Sequence, residues 1–168
     1  VLVGYETFNE EELKNYKKKS TVNDSFKAAK ILKDIGVDCW ASFMLHPDWD
    51  IKQFKAFRSY IARLKPEIST FSPLTPFPNL PLYNQYKDRL LIREDEFEKW
   101  SFSKVSIKPS KLSLRRYYYE IIKTLLFINL RCNSTAYMIK RFGFSTLYRV
   151  GIGSMKVLPG YIKMMICG

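Results

Sequence analysis

Residues 1–74 alternate short apolar runs with helix-length periodic segments, and that alternation leaves few folds open. Val1–Val3 reads as a strand that runs straight into Gly4. Asn9 ahead of Glu10-Glu11-Glu12 has the form of an N-cap with acids in the first turn, and predicts a short helix to about Lys18. Thr21-Val22-Asn23-Asp24 opens a second helix, with Phe26, Ala29, Ile31, Leu32 and Ile35 as its apolar face and Gly36 as its stop. Val37–Leu45 is a second strand, apolar enough to be buried on both faces. His46-Pro47-Asp48-Trp49-Asp50 breaks it, and Ile51–Leu64 is an amphipathic helix with Phe54, Phe57, Ile61 and Leu64 on one side. Pro66 ends that helix, Ile68–Leu74 is the third strand, and a proline-rich turn follows over residues 75–81. Strands alternating with helices imply parallel crossover units and an α/β fold. Three such strands cannot close a barrel; they fit half of one with exposed edges, and the expectation is that more sequence lies upstream.

The remainder of the chain is built differently. Residues 87–110 are charged and irregular, with Trp100, Phe102 and Pro109. Ser110 or Ser113 can cap a long helix over about 112–130, whose Tyr117, Tyr118, Tyr119, Ile121, Ile122, Leu125, Leu126 and Ile128 leave most of its circumference apolar. Shorter helical pieces are predicted at 135–141 and 145–158. The two parts also differ in charge. Residues 1–98 carry 15 basic and 15 acidic side chains, whereas 99–168 carry 13 basic residues against one acid, Glu120, so the whole net charge of +12 resides there. Such a half can face phosphate, anionic lipid or an acidic partner, or can be a solvated face. The expected division is residues 1–90 as the strand–helix unit and 91–168 as a basic, mainly helical extension.

Chemistry concentrates at the strand ends, where α/β folds keep their ligand sites. Glu6 follows the first strand, and Lys18 returns twelve residues later within Lys17-Lys18-Lys19. A carboxylate and an ammonium at one strand end can together face a small zwitterionic ligand; the bland alternative is that they pair with each other at the surface. His46 is the single histidine, and with Asp48 and Asp50 it forms a weak metal pattern that reads more naturally as turn and N-cap chemistry. Cys39, Cys132 and Cys167 lie too far apart in sequence to form a metal or disulfide framework by spacing. The sequence shows no signal-peptide pattern and no apolar run long enough to span a bilayer, so a cytoplasmic protein is expected.

Three motifs in register carry a resemblance. Gly4-x-Glu6-Thr7 is followed by Leu13, Lys18 and Ser20-Thr21; Gly36-Val37 leads to Ser42-Phe43-Met44-Leu45-His46-Pro47-Asp48; and Thr75-Pro76-Phe77-Pro78 leads to Leu82-Tyr83. Over residues 1–90 this resembles the C-terminal part of radical S-adenosylmethionine (SAM) enzymes of the cobalamin-binding, hopanoid-methylase-like branch. Two family loops differ: His46-Pro47-Asp48-Trp49 stands where a glycine-rich loop is usual, and Pro78-Asn79-Leu80 where Pro-Gly-Thr is usual.

The resemblance implies a fold and a role. The fold would be the distal half of a partial (β/α) radical SAM barrel followed by a mostly α-helical C-terminal extension. Glu6 would accept hydrogen bonds from the SAM ribose, Lys18 would meet the methionyl carboxylate, Ser42 would add a ribose contact, Met44 and Thr75 would border the adenine, and His46 would face substrate. The Cys-x-x-x-Cys-x-x-Cys loop for the [4Fe–4S] cluster, and any cobalamin domain, would lie outside this chain, in the upstream half of the same enzyme. The chain would then be inactive alone. A small-molecule or lipid substrate is implied.

Two other classes remain open from the residues alone. Basic and aromatic residues interleave at 108–123 and 140–163, as in nucleic-acid grooves, although the aromatics fall on an apolar helix face. Residues 142–165 mix aromatics, methionines and lysines in a way that suits peripheral membrane contact.

Overall fold

A computed structural model describes residues 1–167. Three strands, β1 (Leu2–Glu6), β2 (Trp40–Leu45) and β3 (Ile68–Pro73), form one parallel sheet in the order β1-β2-β3. The crossovers are α1 (Glu10–Asn15) with α2 (Val22–Asp34), and α3 (Ile51–Leu64). After β3 come α4 (Pro81–Tyr86), two short 3-10 turns, α5 (Leu114–Phe127), a π-helical turn (Ile128–Cys132) and α6 (Thr135–Cys167). The α/β class and the parallel sheet agree with the sequence pattern.

The helix starts follow from side-chain chemistry. Asn9 Oδ1 accepts from the Glu11 amide at 2.9 Å, and Thr21 with Asp24 and Asp50 with Gln53 each form a reciprocal capping box. Ser113 Oγ accepts from the Arg116 amide and starts α5. Asp50 is therefore spent as a cap, as the turn reading of the His46–Asp50 loop expects.

Several expectations need correction. β2 begins at Trp40, not Val37, and only alternate residues are buried: Ala41, Phe43 and Leu45 are inaccessible, whereas Trp40 is exposed and Ser42 and Met44 are half-buried. The sheet is thus fully covered on one face and only partly on the other. On α2, Phe26, Ala29 and Leu32 pack on the core, but Ile31 and Ile35 point to solvent, since neither lies over the covered face. The two C-terminal helical pieces are separated at Gly143 (φ 78°, ψ 161°), as the sequence predicts, but the second continues past Pro159 to Cys167 rather than ending at 158. Beyond the proline Tyr161 is buried against Tyr118, and Arg115 donates to the Met165 carbonyl at 3.1 Å and to that of Ile166, two of the carbonyls left free at the helix end.

The core lies between the covered sheet face and α3. Phe43 meets Phe57 edge-on at 5.4 Å, and Trp49 packs against Phe54 and Phe57. α5 closes over α3 through a buried ion pair. Arg58 Nη1 donates at 3.0 Å to both Glu120 Oε2 and Thr124 Oγ1, and Arg116 reaches the second Glu120 oxygen at 3.2 Å. Glu120 is fully inaccessible and Arg58 is nearly so.

Glu120→Ala should therefore cost about 3–5 kcal/mol, because it strands a buried guanidinium without its counter-charge. The double replacement Arg58→Met/Glu120→Leu should recover most of that loss. Urea unfolding followed by circular dichroism measures both.

Candidate functional site

The other face of the sheet is covered only in part, and its middle is lined by small and polar residues. Gly4, Ser42 and Thr70 stand in one register row across β1, β2 and β3, with Ser72 beside Met44 in the next. A row of Leu2, Trp40 and Ile68 closes the end nearer the strand starts, and the Trp40 indole donates to Thr70 Oγ1 at 3.1 Å. At the strand ends this face meets Glu6 and Lys18.

Local backbone geometry aims both charged groups. The β1–β2 register slips between Gly4 and Glu6, and Glu6 takes a left-handed φ of 64°. A non-glycine residue there costs about 1–3 kcal/mol and persists only where its surroundings fix it. The turn folds the Glu6 carboxylate back over Gly4, where an added Cβ would lie 2.6 Å from Oε1. A side chain at position 4 would thus push the Glu6 carboxylate out of this place. α1 stops at Asn15, earlier than expected, in a Schellman turn: Lys17 is left-handed (φ 55°), its amide bonds Lys14 O, and the Lys18 amide bonds Leu13 O. Lys18 therefore leaves the helix at a fixed angle, and its Nζ reaches Glu6 Oε1 at 2.8 Å. Both side chains keep access to solvent, 20% for Glu6 and 39% for Lys18.

A residue that sequence reading treated only as a first-turn acid holds this turn. Glu12 is buried, and its two oxygens accept from Thr7 Oγ1 at 2.5 Å and from Trp49 Nε1 at 2.6 Å. Thr7 directly follows Glu6, so the network ties the exit of β1 to α1 and to the loop after β2. Asn-x-x-Glu at 9–12 could have signalled an inward acid, but the Trp49 partner is 37 residues away. The Tyr16 hydroxyl, buried close by, has no hydrogen-bond partner among the described residues. Burial, with the Glu12 carboxylate next, raises its pKa.

The remaining candidates sit further along. Met44 packs with Leu74, Tyr86, Ile107 and Tyr16, and that cluster caps the strand-end half of the open face. The Thr75 hydroxyl is buried and donates to Pro73 O at 3.1 Å, closing the turn after β3. His46 Nδ1 accepts from the Asp48 amide at 3.1 Å, which places the proton on Nε2, 3.2 Å from the Tyr86 hydroxyl. Burial lowers the His46 pKa, against the opposing pull of Glu12 and Asp48. Asp48 is itself paired with Arg89, whose guanidinium also donates to Lys108 O. Burial works against Asp48 ionisation, but the Arg89 hydrogen bonds prevail and its pKa is lowered. Among the described residues no cluster of three or more histidine, cysteine or acidic side chains could hold a metal.

A cavity of about 480 Å³ adjoins the open face beyond β3, in the size range of small-molecule sites. Trp40, Thr70 and Ser72 line it on the sheet side, and Ile128, Val157 and Tyr161 on the helical side. Glu6 and Lys18 do not line it. The structure therefore brings Glu6, Lys18 and Ser42 to one rim, puts Met44 and His46 under Tyr86, and leaves Thr75 as a turn residue.

Comparison with known proteins finds relatives among methyl-transferring enzymes. The chain is 24% identical over 124 residues to hopanoid C-3 methylase of Methylococcus capsulatus, covering 74% of this chain and 23% of that protein. It is 24% identical over 128 residues to bacteriochlorophyllide d C-8(2)-methyltransferase of Chlorobaculum tepidum (74% and 28% covered). The C-12(1)-methyltransferase of the same organism is 28% identical over 124 residues (72% and 26%). The chain thus spans about a quarter of the length of the curated relatives it matches. No protein-family model matches it.

The depressed His46 pKa carries a sign. Below about pH 6.5 the unfolded histidine binds a proton that the folded one resists, so stability should fall as pH drops through that value. Thermal melts between pH 7.5 and 5.5 should show a smaller loss for His46→Gln than for the parent chain.

Proposed function

We propose that this chain forms the distal wall of a SAM pocket in a radical SAM methyl-transferring enzyme. The observation that carries the reading is the Glu6–Lys18 pair, folded over Gly4 at the strand ends of the sheet's more polar face and still open to solvent. A carboxylate is an acceptor only and suits a vicinal diol; an ammonium suits a carboxylate. SAM presents a ribose diol and a methionyl carboxylate, so a 2.8 Å ion pair could be exchanged for two charge-assisted contacts. Ser42, beside Gly4 on the same face, adds a hydroxyl, and the orphaned Tyr16 hydroxyl leaves one buried polar group free for a ligand. The relatives support methyl transfer as the type of reaction.

In this reading residues 1–90 are the distal part of a (β/α) barrel and 91–168 a helical extension, joined to an upstream half that completes the barrel. Bound SAM would supply a 5′-deoxyadenosyl radical once reduced at a [4Fe–4S] cluster. The residues of this chain do not fit that cluster: Cys39 is buried beneath the sheet, Cys132 is half-buried and Cys167 is near the far end of α6. Its ligands, and any cobalamin site, are assigned outside the chain. What this chain's own residues do is bind and orient SAM, and the cavity next to Thr70 and Ser72 is the candidate position for a small-molecule or lipid substrate.

Equilibrium dialysis of SAM against the protein expressed from its whole reading frame tests this. Glu6→Gln and Lys18→Met should each weaken binding about 10–100-fold, the worth of one charge-assisted hydrogen bond. Gly4→Ala should act in the same direction by displacing the Glu6 carboxylate. Failure of the parent protein to bind SAM, or equal binding by all variants, would overturn the reading.

A further inference from the structure

Beyond the bend at Gly143, α6 presents an apolar stripe that no part of the described chain covers. Phe144, Tyr148, Ile152, Ile162 and Ile166 are all between 38% and 70% exposed. At 3.6 residues per turn these five positions fall within about 80° of arc and run for about 33 Å. The helix is not short of packing surface: Leu147, Val157, Tyr161 and Met165 on its other side turn toward the protein. The stripe is therefore a second apolar face.

Its charge surroundings are one-sided. Arg149, Lys156 and Lys163 recur every seven residues, all exposed, and fall in a row along the stripe's solvent-side flank. None of the three forms an ion pair with a described residue, unlike Arg141, which is held by Asp38. From residue 121 to the end the sequence contains no aspartate or glutamate. Apolar residues with a parallel cationic row and no acids match a surface that is apolar beneath and anionic on top. No described helix is long and apolar enough to cross a membrane, so the helix would lie along such a surface.

We infer that residues 144–167 of α6 are a docking face for anionic lipid, with the apolar stripe entering the acyl boundary and Arg149, Lys156 and Lys163 meeting the headgroups. This does not rest on the SAM reading and can fail independently of it. A nucleic acid would use the basic row and find stacking partners in Phe144 and Tyr148, but would give Ile152, Ile162 and Ile166 no role. A second copy of the chain would need an acidic counter-surface, whereas the acids of residues 1–98 are balanced by as many bases.

Vesicle flotation of the full chain tests the inference, with phosphatidylglycerol and phosphatidylcholine vesicles compared at low salt. The chain should float with the anionic vesicles and far less with the zwitterionic ones. Replacing Arg149, Lys156 and Lys163 together by glutamine should lower the partition coefficient about 100-fold, at roughly fivefold per basic residue. Phe144→Ser/Ile152→Ser should lower it at least about tenfold, with an unchanged circular dichroism spectrum because both side chains are exposed. Lys52→Gln/Lys55→Gln, exposed on α3, should leave it unchanged. Three results would each overturn the inference: no flotation with phosphatidylglycerol, an equal loss in the Lys52/Lys55 variant, or a stable dimer in light scattering that Phe144→Ser/Ile152→Ser dissolves.

Discussion

Glu12 brings its carboxyl group beneath the surface between the Thr7 hydroxyl and the Trp49 indole, and the mouth of the sheet is organised around that junction. Thr7 fixes the residue after Glu6, so the left-handed turn that aims Glu6 is held from behind. α1 carries Glu12 on one turn and ends in the Schellman motif that launches Lys18 on the next. Trp49 belongs to the loop that also holds His46 and caps α3. One acid thus couples strand exit, helix end and loop. A polar group in this position is costly to leave unpaired, which makes the local geometry closer to all-or-none than a packing contact would.

The second organising fact is that the sheet has two unlike faces. Phe43, Phe57, Tyr60 and Trp49 pack the covered one into an aromatic core, and the Arg58–Glu120 pair locks α5 onto it. The other face has small polar side chains in register, with helical cover only at its strand ends. The rigid face supports the other one, so the Ser42 and Thr70 hydroxyls are displayed from a stiff platform.

The sequence was most legible where signals are local. Asn9, Thr21, Asp50 and Ser113 sit at the helix starts their side chains imply, and the βαβαβ order follows from alternating periods. Glu6 and Lys18 were legible as a pair because motif and strand context placed them at one strand end. Contacts between distant residues were not legible: Trp49 with Glu12, Arg89 with Asp48, and Arg58 with Glu120 join segments 37, 41 and 62 residues apart. The Val37–Leu45 run misled for a physical reason, since apolar composition reports burial but not whether one face or two are covered. The last helix runs past its expected end at residue 158 because the packing of Tyr161 holds it beyond Pro159.

The two edges of the sheet are finished differently. On β3 the side-chain amide of Asn133 accepts from the Ser69 amide at 2.8 Å and donates to the Ser69 carbonyl at 3.2 Å, imitating one residue of a neighbouring strand. On β1, Val1 and Leu2 stand exposed. A plugged edge resists templating by another chain, whereas an open apolar edge invites it. Growth of this sheet by strand addition is thus directional, favoured at β1 and blunted at β3.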